Sequence, residues 1–227
     1  MFLVKNAYFY AMKHMQAVLF DLDGTLIDSE HFYYSNWKPI LQKNFGLKID
    51  FEDWLTFFAG HTLVRNVHFL REKWGIETTD EFMWKETRAA YARADMRTIG
   101  LMPHAKEILE DLQQAGKRIA LVTSSYQTTV DTVLGHHGLL GFFEFFITRE
   151  RVEQPKPDPE PYALAIKSMA LPADEIVAIE DTSTGLKAAQ GAGLSCIAVS
   201  RQQVERERLS AAECMVDNLA AVREILL

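Results

Sequence analysis

The run Val18-Leu19-Phe20-Asp21-Leu22-Asp23-Gly24-Thr25-Leu26 constrains the fold more than any other stretch, because an apolar segment with β-branched and aromatic members stops abruptly at two carboxylates and a glycine. Such a run reads as a buried strand that delivers polar groups into the loop at its C-terminal end. That edge is where open α/β sheets bind ligands. Side chains two apart in extended backbone point the same way, so Asp21 and Asp23 share one phosphate or metal site if the extension persists that far. Taken alone, Asp-Leu-Asp-Gly is equally an ordinary turn. The other strand ends decide between the two.

After Asp23, Gly24 to Glu30 has turn chemistry, with Asp28 or Ser29 as cap for a helix from about His31. From there to about Thr98 apolar residues recur at helical spacing: Trp37, Ile40 and Leu41, then Trp54, Leu55 and Phe58, then Val64, Val67 and Leu70. Breaks fall at Gly46, Gly60 and the stretch from Gly75 to Asp80. A purely helical block directly after a first strand is an insertion or small second domain. The α/β alternation resumes beyond it. Helices are expected over 103–114, 127–137, 159–169, 183–190 and 219–226, with strands over 118–123, 144–148, 176–179 and 195–199. Strict alternation of this kind predicts an α/β fold, a doubly wound, Rossmann-like parallel sheet, with an inserted all-helical domain. The division expected is an N-terminal extension over 1–15, an α/β core over 16–30 and 99–227, and the helical insertion over 31–98.

Composition excludes several function classes. At 227 residues the chain buries a substantial core, and 48% hydrophobic with 24% charged residues is an ordinary globular balance. A net charge of −7 without a Lys/Arg-rich face argues against nucleic acid as a partner. Cys196 and Cys214 sit in no CxxC or Cys/His cluster, which suggests reduced thiols in a cytoplasmic protein. Residues 1–14 lack the uninterrupted apolar core and cleavage site of a signal peptide, and no run approaches the ~18 apolar residues of a membrane span. They read as an appended segment packing on the surface, with no membrane partner.

Three strand ends carry polar groups: Asp21/Asp23, Thr123-Ser124-Ser125 and Glu180-Asp181. In a parallel sheet these lie along one edge. Carboxylates from two strands make an oxygen-rich site suited to Mg²⁺, and the absence of histidine and cysteine there disfavours zinc. Thr123, Ser124 and Ser125 bring hydroxyls and N–H groups before a helix, as phosphate oxygens require, although Ser/Thr at that place also serves as a simple N-cap. Lys156 opens a loop stiffened by Pro157, Pro159 and Pro161, which lowers the entropy of holding one ammonium in place.

In this order Asp21-Leu22-Asp23-Gly24-Thr25, Thr123, Lys156-Pro157-Asp158-Pro159 and Glu180-Asp181-Thr182-Ser183-Thr184-Gly185 resemble the four motifs of the haloacid dehalogenase superfamily of phosphatases. The helical insertion is similar to that family's small α-helical cap. The resemblance runs from Gln16 to the C-terminus. It implies Asp21 as nucleophile forming an aspartyl-phosphate, and Asp23 as general acid and then general base. It further implies Mg²⁺ held by Asp21, the backbone carbonyl of Asp23 and Asp181, with Glu180 nearby, and a phosphoryl group bound by Thr123, Ser124 and Lys156.

Within the superfamily, Asp28-Ser29-Glu30 and Glu180-Asp181 most resemble the β-phosphoglucomutase-like and sugar-phosphatase branch. The mutases carry a histidine where alignment on Trp37 places Tyr33, and an arginine where Leu63 stands; Arg65 lies two residues beyond. These departures favour hydrolysis over isomerisation. Substrate choice is expected from the cap, at His61, Thr62 and Arg65 beside Gly60, and the expected partner is a small phosphorylated metabolite such as a sugar phosphate or phosphoglycolate. The chain is expected to act as a monomer or weak dimer. A phospho-acceptor signalling module resembling receiver domains is the reading of another class, together with a non-catalytic binding relative. Against the first stand Asp23 as an acid/base beside the nucleophile and the helical insertion.

Overall fold

The computed structural model describes residues 12–200 and 203–227. They form two compact units, one comprising residues up to Ile27 together with Gly100–Leu227, the other Asp28–Ile99.

The first unit is built on six parallel strands: β1 (Ala17–Phe20), β2 (Arg118–Val122), β3 (Phe146–Ile147), β4 (Ile176–Glu180), β5 (Ser195–Val199) and β6 (Cys214–Val216). Their order across the sheet is β3-β2-β1-β4-β5-β6. Strand order therefore reverses between β1 and β4, which opens a crevice at their C-terminal ends. β1 and β4 are buried along their whole length, as near-continuous apolar runs covered on both faces must be. One core cluster on this sheet joins Leu19, Val122, Ile147, Tyr162, Met169 and Leu186.

The second unit is helical: α1 (Ser29–Phe45), α2 (Phe51–Phe57), α3 (Leu63–Trp74) and α4 (Asp80–Tyr91). Side chains of Asp50, Thr62 and Thr79 cap α2, α3 and α4 at their N-termini, and Gly46 and Gly75 close α1 and α3 in the left-handed conformation. Its core is aromatic, with Trp37 edge-on to Trp54, and Trp54 and Trp74 each stacked on Phe58.

The remaining helices belong to the first unit: α5 (Ala105–Gln114), α6 (Gln127–His136), α7 (Glu160–Met169), α8 (Ser183–Gly191), α9 (Gln203–Arg208) and α10 (Leu219–Leu226). Two elements differ from expectation. The three-residue β6 and the short α9 are additional, too brief to show a hydrophobic period. The surface segment expected at the N-terminus lies outside the described residues up to position 11. Beyond it, Met12 and Met15 are buried and Lys117 Nζ donates to the carbonyls of Lys13 and Met15 at 2.7 Å each. Cys196 is a buried free thiol. No helix among the described residues is long and apolar enough to cross a membrane.

Candidate active site

Register brings the polar strand ends level. Phe20 pairs with Leu121 on one side and Ile179 on the other, so Asp21, Val122 and Glu180 follow at the same height on three adjacent strands. The Asp21 N–H extends the ladder by one bond, donating to the Ile179 carbonyl at 3.0 Å. Beyond Asp23 the chain turns over Gly24–Leu26: Gly24 N–H donates to the Ile27 carbonyl at 2.9 Å, and the N–H groups of Leu26 and Ile27 both reach the Leu22 carbonyl. Asp21 and Asp23, on the strand side of this turn, have different hydrogen-bond partners.

Asp21 faces Lys156. The buried ammonium donates to Asp21 Oδ1 at 2.7 Å, Glu180 Oε1 at 2.6 Å and the Val122 carbonyl at 2.8 Å. All three of its donors are thereby directed at protein oxygens. Asp23 instead accepts a 2.7 Å hydrogen bond from Ser125 Oγ. Thr123, at the end of β2, accepts from the Ser125 N–H at 3.0 Å and so shapes the loop that presents Ser125. Ser124 in the same loop is exposed.

Asp21, Glu180 and Asp181 place carboxylate oxygens within 4.8 Å of one another. The two glycines of the flanking motifs make room for them. A side chain at Gly24 would collide with the Asp181 carboxylate, and one at Gly185 with the Glu180 carboxylate. Glu180 is wholly buried, with Tyr162 Oη donating to its Oε1 at 2.6 Å, and Asp181 accepts from Thr25 Oγ1 at 3.4 Å. Three carboxyl groups within reach of one another make an all-oxygen donor set that fits a hard divalent cation. Burial pushes Asp21 up to about 8; Lys156 opposes the shift, while Glu180 and Asp23 add to it. For Lys156, burial acts to lower the pKa, but Asp21 and Glu180 outweigh it and hold the ammonium charged above its ordinary range.

In the helical unit, Thr62 Oγ1 accepts the Arg65 N–H at 3.3 Å as the cap of α3. The Arg65 guanidinium lies over Phe69, 4.1 Å from the ring centroid, with Nη1 3.8 Å from Glu72. The His61 ring is 5.6 Å from that of Phe69. Thr62 thus has a local structural task, and Arg65 is held by neighbours on its own helix.

A family model described as haloacid dehalogenase-like hydrolase matches residues 18–199. The chain belongs to this family. Among curated relatives, it is 29% identical over 208 residues to validoxylamine A 7'-phosphate phosphatase of Streptomyces hygroscopicus subsp. limoneus, covering 92% of this chain and 96% of that one. It is 31% identical over 211 residues to hexitol phosphatase A of Escherichia coli K12, covering 90% and 91%. The crystal structure of CbbY from Rhodobacter sphaeroides in complex with phosphate superposes with a TM-score of 0.73 at 25% identity, covering 92% of this chain and 96% of that one. The protein is an enzyme, a phosphatase of the haloacid dehalogenase-like hydrolases. That sets aside the signalling reading.

Two contacts beside this hydrolase's carboxylates, Tyr162 to Glu180 and Ser125 to Asp23, were not legible in the sequence. Tyr162 reads in sequence as one more apolar position of α7, and nothing local marks its hydroxyl as a partner of Glu180. Ser125 was legible only as one of three loop hydroxyls; its place opposite Asp23 comes from the pairing of β1 with β2.

Proposed function

We propose that the enzyme hydrolyses a small phosphomonoester, a sugar phosphate or a compound of that class, through an aspartyl-phosphate on Asp21, with Mg²⁺ as cofactor. The observation that carries this reading is the convergence of Asp21, Lys156, Glu180 and Asp181 at the β1/β4 crevice. Asp21 attacks phosphorus and the bond to the leaving oxygen breaks, which splits one hard hydrolysis into two steps. Asp23, protonated, gives its proton to the leaving alkoxide; as a carboxylate it then takes one from the water that attacks the aspartyl-phosphate, freeing inorganic phosphate and regenerating Asp21. Ser125 orients the Asp23 carboxylate, and Lys156 holds Asp21 in line. Thr123 and Ser124 lie in the loop that receives phosphoryl oxygens. Asp21, Asp181, Glu180 and the Asp23 carbonyl would hold Mg²⁺, which supplies charge neutralisation of the phosphoryl oxygens when bound.

The carbohydrate assignment is supported by the relatives' names, and His61, Thr62 and Arg65 remain the proposed selectivity positions in residues 31–98, the cap. The test is phosphate release from p-nitrophenyl phosphate and a panel of sugar phosphates. Turnover is expected with Mg²⁺ and absent in Asp21→Asn. Full activity of Asp21→Asn refutes the nucleophile assignment, and conversion of β-glucose 1-phosphate to glucose 6-phosphate replaces hydrolysis by the mutase reaction.

A further inference from the structure

We propose that Tyr162 is a positioning residue for this reaction: its buried hydroxyl keeps the Lys156 ammonium shared between Glu180 and the attacking carboxylate of Asp21. The inference rests on Asp21 being the nucleophile. Lys156 has three protons and three protein acceptors, Asp21 Oδ1, the Val122 carbonyl and Glu180 Oε1. Glu180 Oε1 takes a second hydrogen bond, from Tyr162 Oη at 2.6 Å. Both Tyr162 and Glu180 are 0% exposed, so their hydrogen bond is closed to bulk solvent.

A carboxylate oxygen in a dry site gathers the donors within its reach, because each unmet lone pair there is costly. With the Tyr162 hydroxyl in place, Glu180 Oε1 is satisfied while Lys156 stays at hydrogen-bond distance from Asp21. Without it, Lys156 is the strong donor left to that oxygen, since Thr182 Oγ1 approaches only the other oxygen, Oε2, at 3.4 Å. The ammonium, already 2.6 Å from Glu180 Oε1, is then drawn into alignment on that oxygen and loosens its hold on Asp21. The Tyr162 ring also lies beside the ammonium, 5.1 Å from centroid to Nζ. Tyr162→Phe keeps that ring and deletes only the hydroxyl. Thr123 and Ser124, the loop groups assigned to phosphate, are not in this chain of contacts, so the loss falls on kcat.

The experiment compares wild type, Tyr162→Phe and Leu164→Ala as full chains, with p-nitrophenyl phosphate and Mg²⁺, and records thermal melts of the metal-free proteins. Leu164 sits on the same helix and packs against the same core cluster, so its truncation reports destabilisation alone. Tyr162→Phe is expected to lower kcat about tenfold with KM within about twofold, as follows from losing one hydrogen bond to a buried charge. Leu164→Ala is expected to lower the melting midpoint at least as far while kcat is unchanged. A Tyr162→Phe kcat within twofold of wild type overturns the proposal, as does an equal kcat loss in Leu164→Ala. If Asp21→Asn is inactive while Tyr162→Phe is unimpaired, only the role of Tyr162 fails; an active Asp21→Asn overturns the functional reading and this proposal with it.

Discussion

Gly185→Ala is a substitution in which two physical effects of opposite sign compete. Gly185 lies in the first turn of α8, and its N–H is held by the Thr182 hydroxyl at 3.1 Å. By helix propensity alone, alanine there gains up to about 1 kcal/mol. The new methyl, however, would occupy the space of the Glu180 carboxylate, colliding with both oxygens and the carbon between them. Glu180 has no free direction in which to retreat, because Lys156 and Tyr162 each hold its Oε1 at 2.6 Å. Moving the carboxylate leaves a buried hydroxyl unsatisfied, about 1–3 kcal/mol. It also weakens a buried ion pair, whose full loss costs about 3–5 kcal/mol; Lys156 retains Asp21, so the smaller part of that applies. A total near 3 kcal/mol less the propensity gain leaves a net destabilisation of about 2 kcal/mol, or roughly 4–8 °C in the melting midpoint of a chain this size. Urea or thermal unfolding measures it, and phosphate release should fall at least tenfold as Lys156 shifts. A Gly185→Ala protein more stable than wild type and fully active would refute the reasoning, since it would show that Glu180 is free to move.

In chelator, the melting midpoint should fall as pH rises from roughly 5 to 8, because Asp21, pushed up to about 8 in the fold against an ordinary 3.8, leaves the folded state holding more protons across that window. Thermal melts at three pH values check this, and Asp21→Asn should flatten the slope. Ser125→Ala should lower kcat about three- to tenfold through the lost hydrogen bond to Asp23, with an unchanged midpoint, read by steady-state kinetics and melting together. Thr182→Ala should cost about 1 kcal/mol in urea unfolding, because the α8 cap is lost, and Thr182→Ser should restore it.

Much of the fold was legible because burial on both faces writes itself into sequence as short apolar runs: 118–122, 176–180 and 195–199 are strands where the runs predicted them. The helix ends at Gly46 and Gly75 were equally plain, since a left-handed closing residue selects glycine. β6 and α9 were not, being shorter than the period that would reveal them. In the site, the carboxylates and Lys156 were visible as polar residues that break apolar or proline-stiffened contexts. Their partners were not visible, because hydrogen bonds such as Tyr162 to Glu180 and Ser125 to Asp23 depend on register and helix rotation.

The opening stretch shows the division most directly. Sequence alone determined that a buried strand ends at Asp21-Leu22-Asp23-Gly24, since no other local pattern joins an apolar run to that turn chemistry. The tertiary structure decided which neighbour each of the two acids meets. Asp21 meets Lys156 from the loop before α7, while Asp23, just before the Gly24–Leu26 turn, meets Ser125 from the loop after β2. Side-chain direction beyond a strand's last ladder bond is set by what packs against the turn, and that information lies in residues more than a hundred positions away.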